Sequence, residues 1–202
     1  MPGQPLIVGL GGTGSANGST ERILRNALNA AEAAGAQTLY FDGKALDMPM
    51  YSYNGQRTKK AIALLNALRR ADGIILASPG YHGTVSGLIK NALDYVEDMA
   101  KDERAYFEGR AVGLIAVAAG WQATGSTLAT LRSITHALRG WPTPMAVAIN
   151  SATPVFDGEG AVIDASVSSQ LDILARQVVE FARMKALDTL TSAAGHAKFG
   201  MN

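Results

Sequence analysis

The chain predicts a doubly wound α/β fold, and three observations carry that prediction. Short continuous apolar runs recur at Pro5–Leu10, Thr38–Phe41, Ile74–Ala77, Arg110–Ala118 and Met145–Ile149, the pattern of strands buried on both faces of a parallel sheet. Between them lie longer segments whose apolar residues fall three and four apart, the spacing of helices with one buried side. Three of the runs empty directly into loops rich in glycine and small polar residues, Gly11–Thr20, Ser78–Thr84 and Ala119–Ser126. Strand, loop and helix in that order put each loop at the carboxyl end of a strand, where open α/β sheets bind ligands. Alternation of five strands with helices gives a five-stranded parallel sheet with right-handed crossovers.

The elements follow in order. After strand one, a helix carries Ile23, Leu24, Ala27, Leu28 and Ala31 on one side and ends at Gly35, a C′ residue. Strand two stops at Asp42-Gly43. Lys44–Arg57 is an excursion, because Pro49 forbids a helix through Leu46–Tyr51. Helix two spans Thr58–Ala71 with Ile62, Leu65 and Leu68 inward. Strand three leads through Ser78–Thr84 to a helix from about Ser86, with Leu88, Ile89, Ala92, Leu93 and Val96 on its apolar face. Lys101–Arg104 is a solvated turn before strand four. The next helix carries Leu128, Leu131, Ile134 and Leu138. Trp141–Pro144 reads as a rigid turn into strand five, followed by a loop at Ser151–Gly160 with a short extended piece at Pro154–Phe156. A last helix, Ala165–Met184, shows Leu171, Leu174, Val178 and Phe181. The Ala/Thr/Gly-rich tail beyond Lys185 is read as frayed and peripheral.

At 202 residues the chain reads as a single domain, 1–202, large enough to bury about 70% of its unfolded surface. A net charge of +1 without a basic stripe argues against nucleic acid and anionic membranes as partners. Cysteine is absent, which removes disulfides, thiolate nucleophiles and Cys-based metal sites and fits a reducing compartment. No apolar run reaches the roughly 20 residues of a membrane span, and Met1–Gln4 lacks a basic start, so the expected location is cytoplasmic.

The first loop admits more than one chemistry. Gly9-Leu10-Gly11-Gly12-Thr13-Gly14 satisfies G-x-G-x-x-G literally and would suit a Rossmann NAD-dependent dehydrogenase. That motif wants its helix at the third glycine and an acid about 20 residues on. Here more polar turn residues follow Gly14, and Asp42 comes late. Thr13, Ser15, Asn17, Ser19 and Thr20 read better as donors at a helix start, an arrangement that holds one terminal phosphate monoester. The plainest alternative is a polar turn with Ser19 as the N-cap. Position after the first buried strand favours phosphate. The second loop, Pro79-Gly80-Tyr81-His82-Gly83, offers a stiff backbone, close approach at glycine and a flat apolar ring, a shelf for a planar ligand. Gly120, Trp121 and Gln122 form a third wall.

The residues Gly12-Thr13 through Gly18-Ser19-Thr20-Glu21, then Ser78-Pro79-x-Tyr81 and Ser86-Gly87-x-x-Lys90-Asn91-Ala92-Leu93-Asp94, resemble the signatures of the NADPH-dependent FMN reductase family, which includes quinone, azo-dye and chromate reductases. The resemblance covers Leu6–Phe181 and is most specific in its middle motif. It implies a flavodoxin-like fold with strand order 2-1-3-4-5 and non-covalent FMN. Ser19 and Thr20 are then expected at the phosphate, Pro79–Gly83 along the ring, and Gly120–Gln122 as the third wall. Many members place an arginine in the phosphate loop, where this chain has Ser15-Ala16, so a charge-assisted bond is missing.

The resulting expectation is an FMN-dependent NAD(P)H oxidoreductase. Hydride passes from the nicotinamide to flavin N5, then electrons leave to a second small-molecule acceptor such as a flavin or quinone, in a ping-pong scheme. NADPH or NADH is the cosubstrate, no side chain is assigned as catalytic and no metal is expected. A flavodoxin-type electron carrier is the competing class, though such carriers are usually strongly acidic. His82 reads as a loop residue at the flavin edge, His136 and His196 as structural or solvated, Lys90 as solvated and Asp94 as structural, a partner for a nearby backbone group or the Lys90 charge. A homodimer or tetramer is expected from the resemblance, with Val96 and Met99 extending an apolar face and Lys44–Arg57 reaching a neighbour.

Overall fold

The computed structural model describes residues 3–15 and 17–199, with side chains through Thr191. Met1, Pro2, Ala16 and the His196 side chain, all used in the sequence reading, lie outside that description. Five parallel strands form the sheet: β1 (Leu6–Gly11), β2 (Gln37–Phe41), β3 (Gly73–Tyr81), β5 (Ala111–Ala118) and β6 (Trp141–Asn150), in the order β2-β1-β3-β5-β6. The remaining strand, β4 (Thr84–Val85), folds back antiparallel on the end of β3. Counted over the parallel strands alone, this is the predicted 2-1-3-4-5 order of a flavodoxin-like sheet.

Alternate strand residues face opposite layers. Val8, Leu10, Ile74, Leu76, Val112 and Leu114 pack beneath α2 (Gly43–Leu46), α3 (Lys59–Arg70), α4 (Gly87–Asp94) and α5 (Trp121–Ala137). Ile7, Ile75, Ile115, Val147 and Ile149 pack against α1 (Ser19–Ala33) and α6 (Ala165–Phe199). Gly35 ends α1 at a φ of +89°, with its N–H on Glu32 and the Ala36 N–H on Ala31. That is the predicted left-handed helix stop.

Several boundaries differ from the sequence reading, each for a tertiary reason. Strand β3 continues past Ala77 through Ser78-Pro79-Gly80 to Tyr81, where a loop is expected. Its β1 neighbour ends at the Gly11–Ala77 pair, so Pro79 sits where β3 has become an edge, the one place a sheet accepts proline. Pro142 and Pro144 likewise lie inside β6 and not in a turn. β6 is the outer strand, and its register slips between Val112 and Leu114 of β5. Helix α5 starts at Trp121, so the third loop shrinks to Ala119-Gly120. Helix α6 runs to Phe199, past the predicted end at Met184. Ile62 is 48% exposed while Ala61, Leu64, Leu65 and Leu68 turn inward, because α3 rolls its face toward Tyr95–Met99.

Helix α4 ends in a 3₁₀ turn over Tyr95–Met99 that buries Val96 and Met99 completely. Both residues fill the chain's own core, so they do not supply the apolar partner face expected of them. The same segment explains the Asn91 of the middle motif. Asn91 is buried; its Oδ1 accepts the Tyr51 N–H at 2.8 Å, and its Nδ2 donates to the Met48 and Pro49 carbonyls. Tyr95 donates its hydroxyl to Pro49 as well. The excursion after α2 is thus clamped onto α4. Its far end is fixed by Arg57, which bonds both oxygens of Asp98 and lies over the rings of Tyr51 and Tyr95. Met50 and Tyr53 at the tip stay exposed.

Candidate functional site at the carboxyl edge of the sheet

The β1–α1 loop carries the first group of candidate residues. Thr13 is buried and its hydroxyl accepts the Ser15 N–H at 3.2 Å. Ser15 and Asn17 are exposed, with Asn17 in the left-handed region at φ 58°. Helix α1 is capped by Gly18, which offers no side-chain cap bond. Ser19 is therefore the first helical residue and not the N-cap of the alternative reading, and Thr20, the second, is buried. With no capping side chain in the way, the first-turn N–H groups stay open to an anion.

Glu21 organises this loop from below. Its Oε2 accepts the Asn17 N–H at 2.7 Å and its Oε1 pairs with Arg25 at 2.7 Å. Burial alone would favour the neutral acid, but the Arg25 and Asn17 hydrogen bonds outweigh it and hold the carboxyl below the usual range. Tyr40, whose ring lies under the Arg25 guanidinium, is driven the other way by burial and by the Glu21 charge, so its phenol stays neutral. Its hydroxyl is the one enclosed side-chain polar atom without a partner among the described residues.

The second group forms a hairpin and not the open loop expected. Tyr81 and Thr84 pair across a two-residue turn, His82 and Gly83, with φ of 50° and 86°. Positive φ at both central residues matches the twist of the flanking strands, the reason Gly recurs in such turns. Pro79 is buried and Gly80 half-buried, while Tyr81 (52% exposed), His82 and Gly83 face solvent. The hairpin is braced by α5: Thr127 donates to the Thr84 carbonyl at 3.3 Å. In the third group, Gly120 precedes α5, and Trp121 and Gln122 are its first exposed residues, Trp121 at 66%.

Hydrogen bonds knit the strand ends together along one sheet edge. Gly12 donates to Ala77, the buried Ser86 hydroxyl donates to the Gly12 carbonyl at 2.6 Å, and Ser151 donates to Ala118. A Cβ built on Gly80 would lie 2.7 Å from Thr127 Oγ1 and 3.3 Å from the Ala123 carbonyl oxygen, so the hairpin packs against the first turns of α5. Gly14, Gly83 and Gly120 have open space where a side chain would stand. A polar loop at a helix start beside two exposed aromatic faces and bare backbone suits a flat ring on a phosphate-ended tail. Two cavities flank the β1–α1 loop. One, of about 530 Å³, lies toward α2 between Thr13, Glu21, Asp42, Lys44 and Leu88. The other, of about 240 Å³, lies toward the β6–α6 connection beside Ser19 and Arg22. A cavity of about 580 Å³ at the opposite edge, near Asp72, Gly109 and Trp141, sits at the amino ends of the strands, away from these loops.

The sequence places Ser86 at a helix start without assigning it a role, although a serine just before an apolar helical run is a helix-start signal. Lys90 is exposed and paired with Asp94, and His136 is exposed in the last turn of α5.

Sheet order and the position of these loops define a flavodoxin-like protein with its candidate site at the carboxyl edge. A profile of the NADPH-dependent FMN reductase family matches residues 5–154, most of the chain, and the chain belongs to that family. An NADPH azoreductase from Bacillus sp. (strain OY1-2) is 37% identical over 87 residues, 40% of this chain and 46% of that protein. An FMN-dependent NADPH-azoreductase from Staphylococcus aureus (strain USA300) is 31% identical over 113 residues, 55% of this chain and 56% of that protein. The chain thus spans about half the length of the curated relatives it matches. The structure of FerB, a flavoenzyme NAD(P)H:(acceptor) oxidoreductase from Paracoccus denitrificans, superposes with a TM-score of 0.71 at 16% identity, covering 90% of this chain and 98% of that one. No helix among the described residues is long and apolar enough to cross a membrane.

Proposed function

We propose that this chain is an FMN-dependent NAD(P)H oxidoreductase that reduces a small-molecule acceptor in a ping-pong cycle. The observation that carries the reading is the union, on one sheet edge of a member of this family, of a polar helix-start loop with two exposed aromatic walls. Bound FMN would supply the hydride chemistry, accepting from NAD(P)H and passing electrons on. The chain's own residues do the rest. Thr13, Ser15, Asn17, Ser19 and Thr20 hold the phosphate end; Pro79–Gly83 carry the ring on a rigid hairpin; Gly120, Trp121 and Gln122 border it. The exposed Tyr81 and Trp121 faces leave room for a second flat molecule on the same surface, which is what successive use of one site by donor and acceptor requires.

We further assign a homodimer or tetramer, motivated by the exposed Met50 and Tyr53 at the tip of a clamped excursion, and a cytoplasmic location, motivated by the cysteine-free composition. The test is a visible spectrum after loading with FMN and removal of the excess, followed by anaerobic NADPH and then NADH. Retained flavin colour that bleaches with either nucleotide is the expected result. A protein that stays colourless, or a bound flavin that neither nucleotide reduces, rejects the proposal.

A further inference from the structure

Helix α6 is longer than the body it packs on. Leu171, Leu174, Val178, Val179 and Ala182 are buried against the sheet and α1. From Arg183 to Thr191 every residue but the half-buried Ala186 is exposed, yet the helix continues to Phe199. A bare helical end is marginal in water, because helices in proteins owe most of their stability to a packed face. The family profile ends at residue 154, so this end of the chain lies outside what defines the family.

The exposed end carries an apolar face of its own. Met184, Leu187 and Leu190 are 59%, 52% and 56% exposed and fall three residues apart, which places them in one ridge along the helix. Leu187 lies about 140° round the helix from the buried Ala182, so the ridge points away from the body. A second helix can lie along it without meeting the sheet or α1. The charges nearby are already engaged: Lys185 pairs with Asp188 at 2.7 Å, and Arg183 donates to the Ala34 carbonyl at 2.7 Å. Nothing on the ridge selects a charged partner.

The ridge is complementary to itself. Leu187 has an apolar neighbour three residues away on either side, so a twofold axis through it sets Leu187 on Leu187 and Met184 on Leu190 of a second copy. The same axis sets Lys185 opposite Thr189, Asp188 opposite Ala186 and Arg183 opposite Thr191, so no like charges meet. An antiparallel pair about this axis overlaps from Ala175 to Phe199, about 37 Å of helix.

We propose that a second copy of this chain packs antiparallel on the exposed end of α6, with Leu187 on the twofold axis. This pairing rests on the homo-oligomer reading above and is independent of the flavin. It gives the oligomer a surface in the α1–α6 layer, across the sheet from the excursion that carries Met50 and Tyr53.

The chain has no cysteine, so single-cysteine variants report which residues meet. Leu187→Cys, Met184→Cys, Leu190→Cys and a control at the exposed Ile163, Ile163→Cys, are oxidised with copper phenanthroline at micromolar concentration and run on non-reducing gels. Leu187→Cys should form a reducible dimer at least tenfold faster than the control. Met184→Cys and Leu190→Cys should cross-link to each other after mixing, and each alone only at the control rate, since a disulfide reaches no further than neighbouring Cβ atoms. Leu187→Cys at the control rate overturns the proposal, and so do Met184→Cys and Leu190→Cys that each cross-link alone, the mark of a parallel pair. Sedimentation of wild type and Leu187→Glu, with circular dichroism to check helix content, separates the two readings. The substitution should weaken association at least tenfold. A wild-type oligomer that Leu187→Glu leaves intact keeps the oligomer and rejects this surface; a wild type that is monomeric at tens of micromolar rejects both.

Discussion

Ser86 Oγ donates to the carbonyl of Gly12 at 2.6 Å, joining residues 74 positions apart, while the same oxygen accepts the Ile89 N–H at 3.2 Å. One buried hydroxyl therefore ties the β1–α1 loop to the start of α4 and caps that helix. The Ser86 N–H donates to Ser78 Oγ at 3.0 Å, which brings the end of β3 into the same knot. Gly12 has to be glycine in this arrangement: a Cβ there would lie 2.6 Å from Ile89 Cβ and 2.9 Å from Ser86 Oγ.

Ser86→Ala removes the cap and leaves the Gly12 carbonyl without its donor. Each change costs about 1 kcal/mol, so a loss of about 2 kcal/mol is expected in urea unfolding, with weaker FMN binding. A loss below about 0.5 kcal/mol would show that the hydroxyl links nothing of consequence.

His82 faces solvent at the first central position of a hairpin turn with φ 50°. Asparagine tolerates that backbone and alanine does not, so His82→Asn tests the imidazole without opening the turn. Flavin reduction by NADPH in stopped flow should slow by less than tenfold between about pH 6 and 8, short of the roughly 10²–10⁴ lost with a general acid or base. A hundredfold loss with FMN still bound would make His82 catalytic.

The Arg57–Asp98 pair predicts an acid limb in stability. Hydrogen bonds from Arg57, opposed by burial and aided by the Arg57 charge, hold the Asp98 carboxyl below its ordinary 3.8. Because the folded value is depressed, this stabilisation is complete above about pH 4 and is lost as pH falls through the folded value. The two side chains are 19% and 21% exposed, so screening is partial, and Asp98→Asn should cost about 1–2 kcal/mol at pH 7. The gap from wild type should narrow near pH 3. A gap independent of pH would assign the loss to packing.

Tyr40 predicts a gain. Its enclosed hydroxyl makes no hydrogen bond of good geometry among the described residues, although the Glu21 carboxylate lies beside it, and the Arg25 guanidinium 4.4 Å from its ring centroid would stack on phenylalanine as well. Tyr40→Phe should be neutral or stabilising by up to about 1 kcal/mol in thermal unfolding, since a poorly paired buried hydroxyl is a cost. A loss above 1 kcal/mol would show that the hydroxyl donates to Glu21.

The sequence by itself determined the layer architecture, the strand order through resemblance, and the first of the three loops. Those follow from apolar periodicity and from Gly and Pro punctuation, which are local signals: Ile23 to Ala31 form a buried stripe, and Gly35 stops α1 as read. Tertiary structure decided whatever depended on a neighbouring strand or helix. Pro79 and Pro142 look like strand breakers until β3 and β6 are seen to be edges at those points. Val96 and Met99 look like a partner face until the 3₁₀ turn folds them into the core. Ser86 and Asn91 gain their roles only from groups that the fold brings to them, because a hydrogen bond between distant residues leaves no period in the chain. Sequence fixes which surfaces are apolar and which backbone is free to turn; which polar atoms meet is settled by packing.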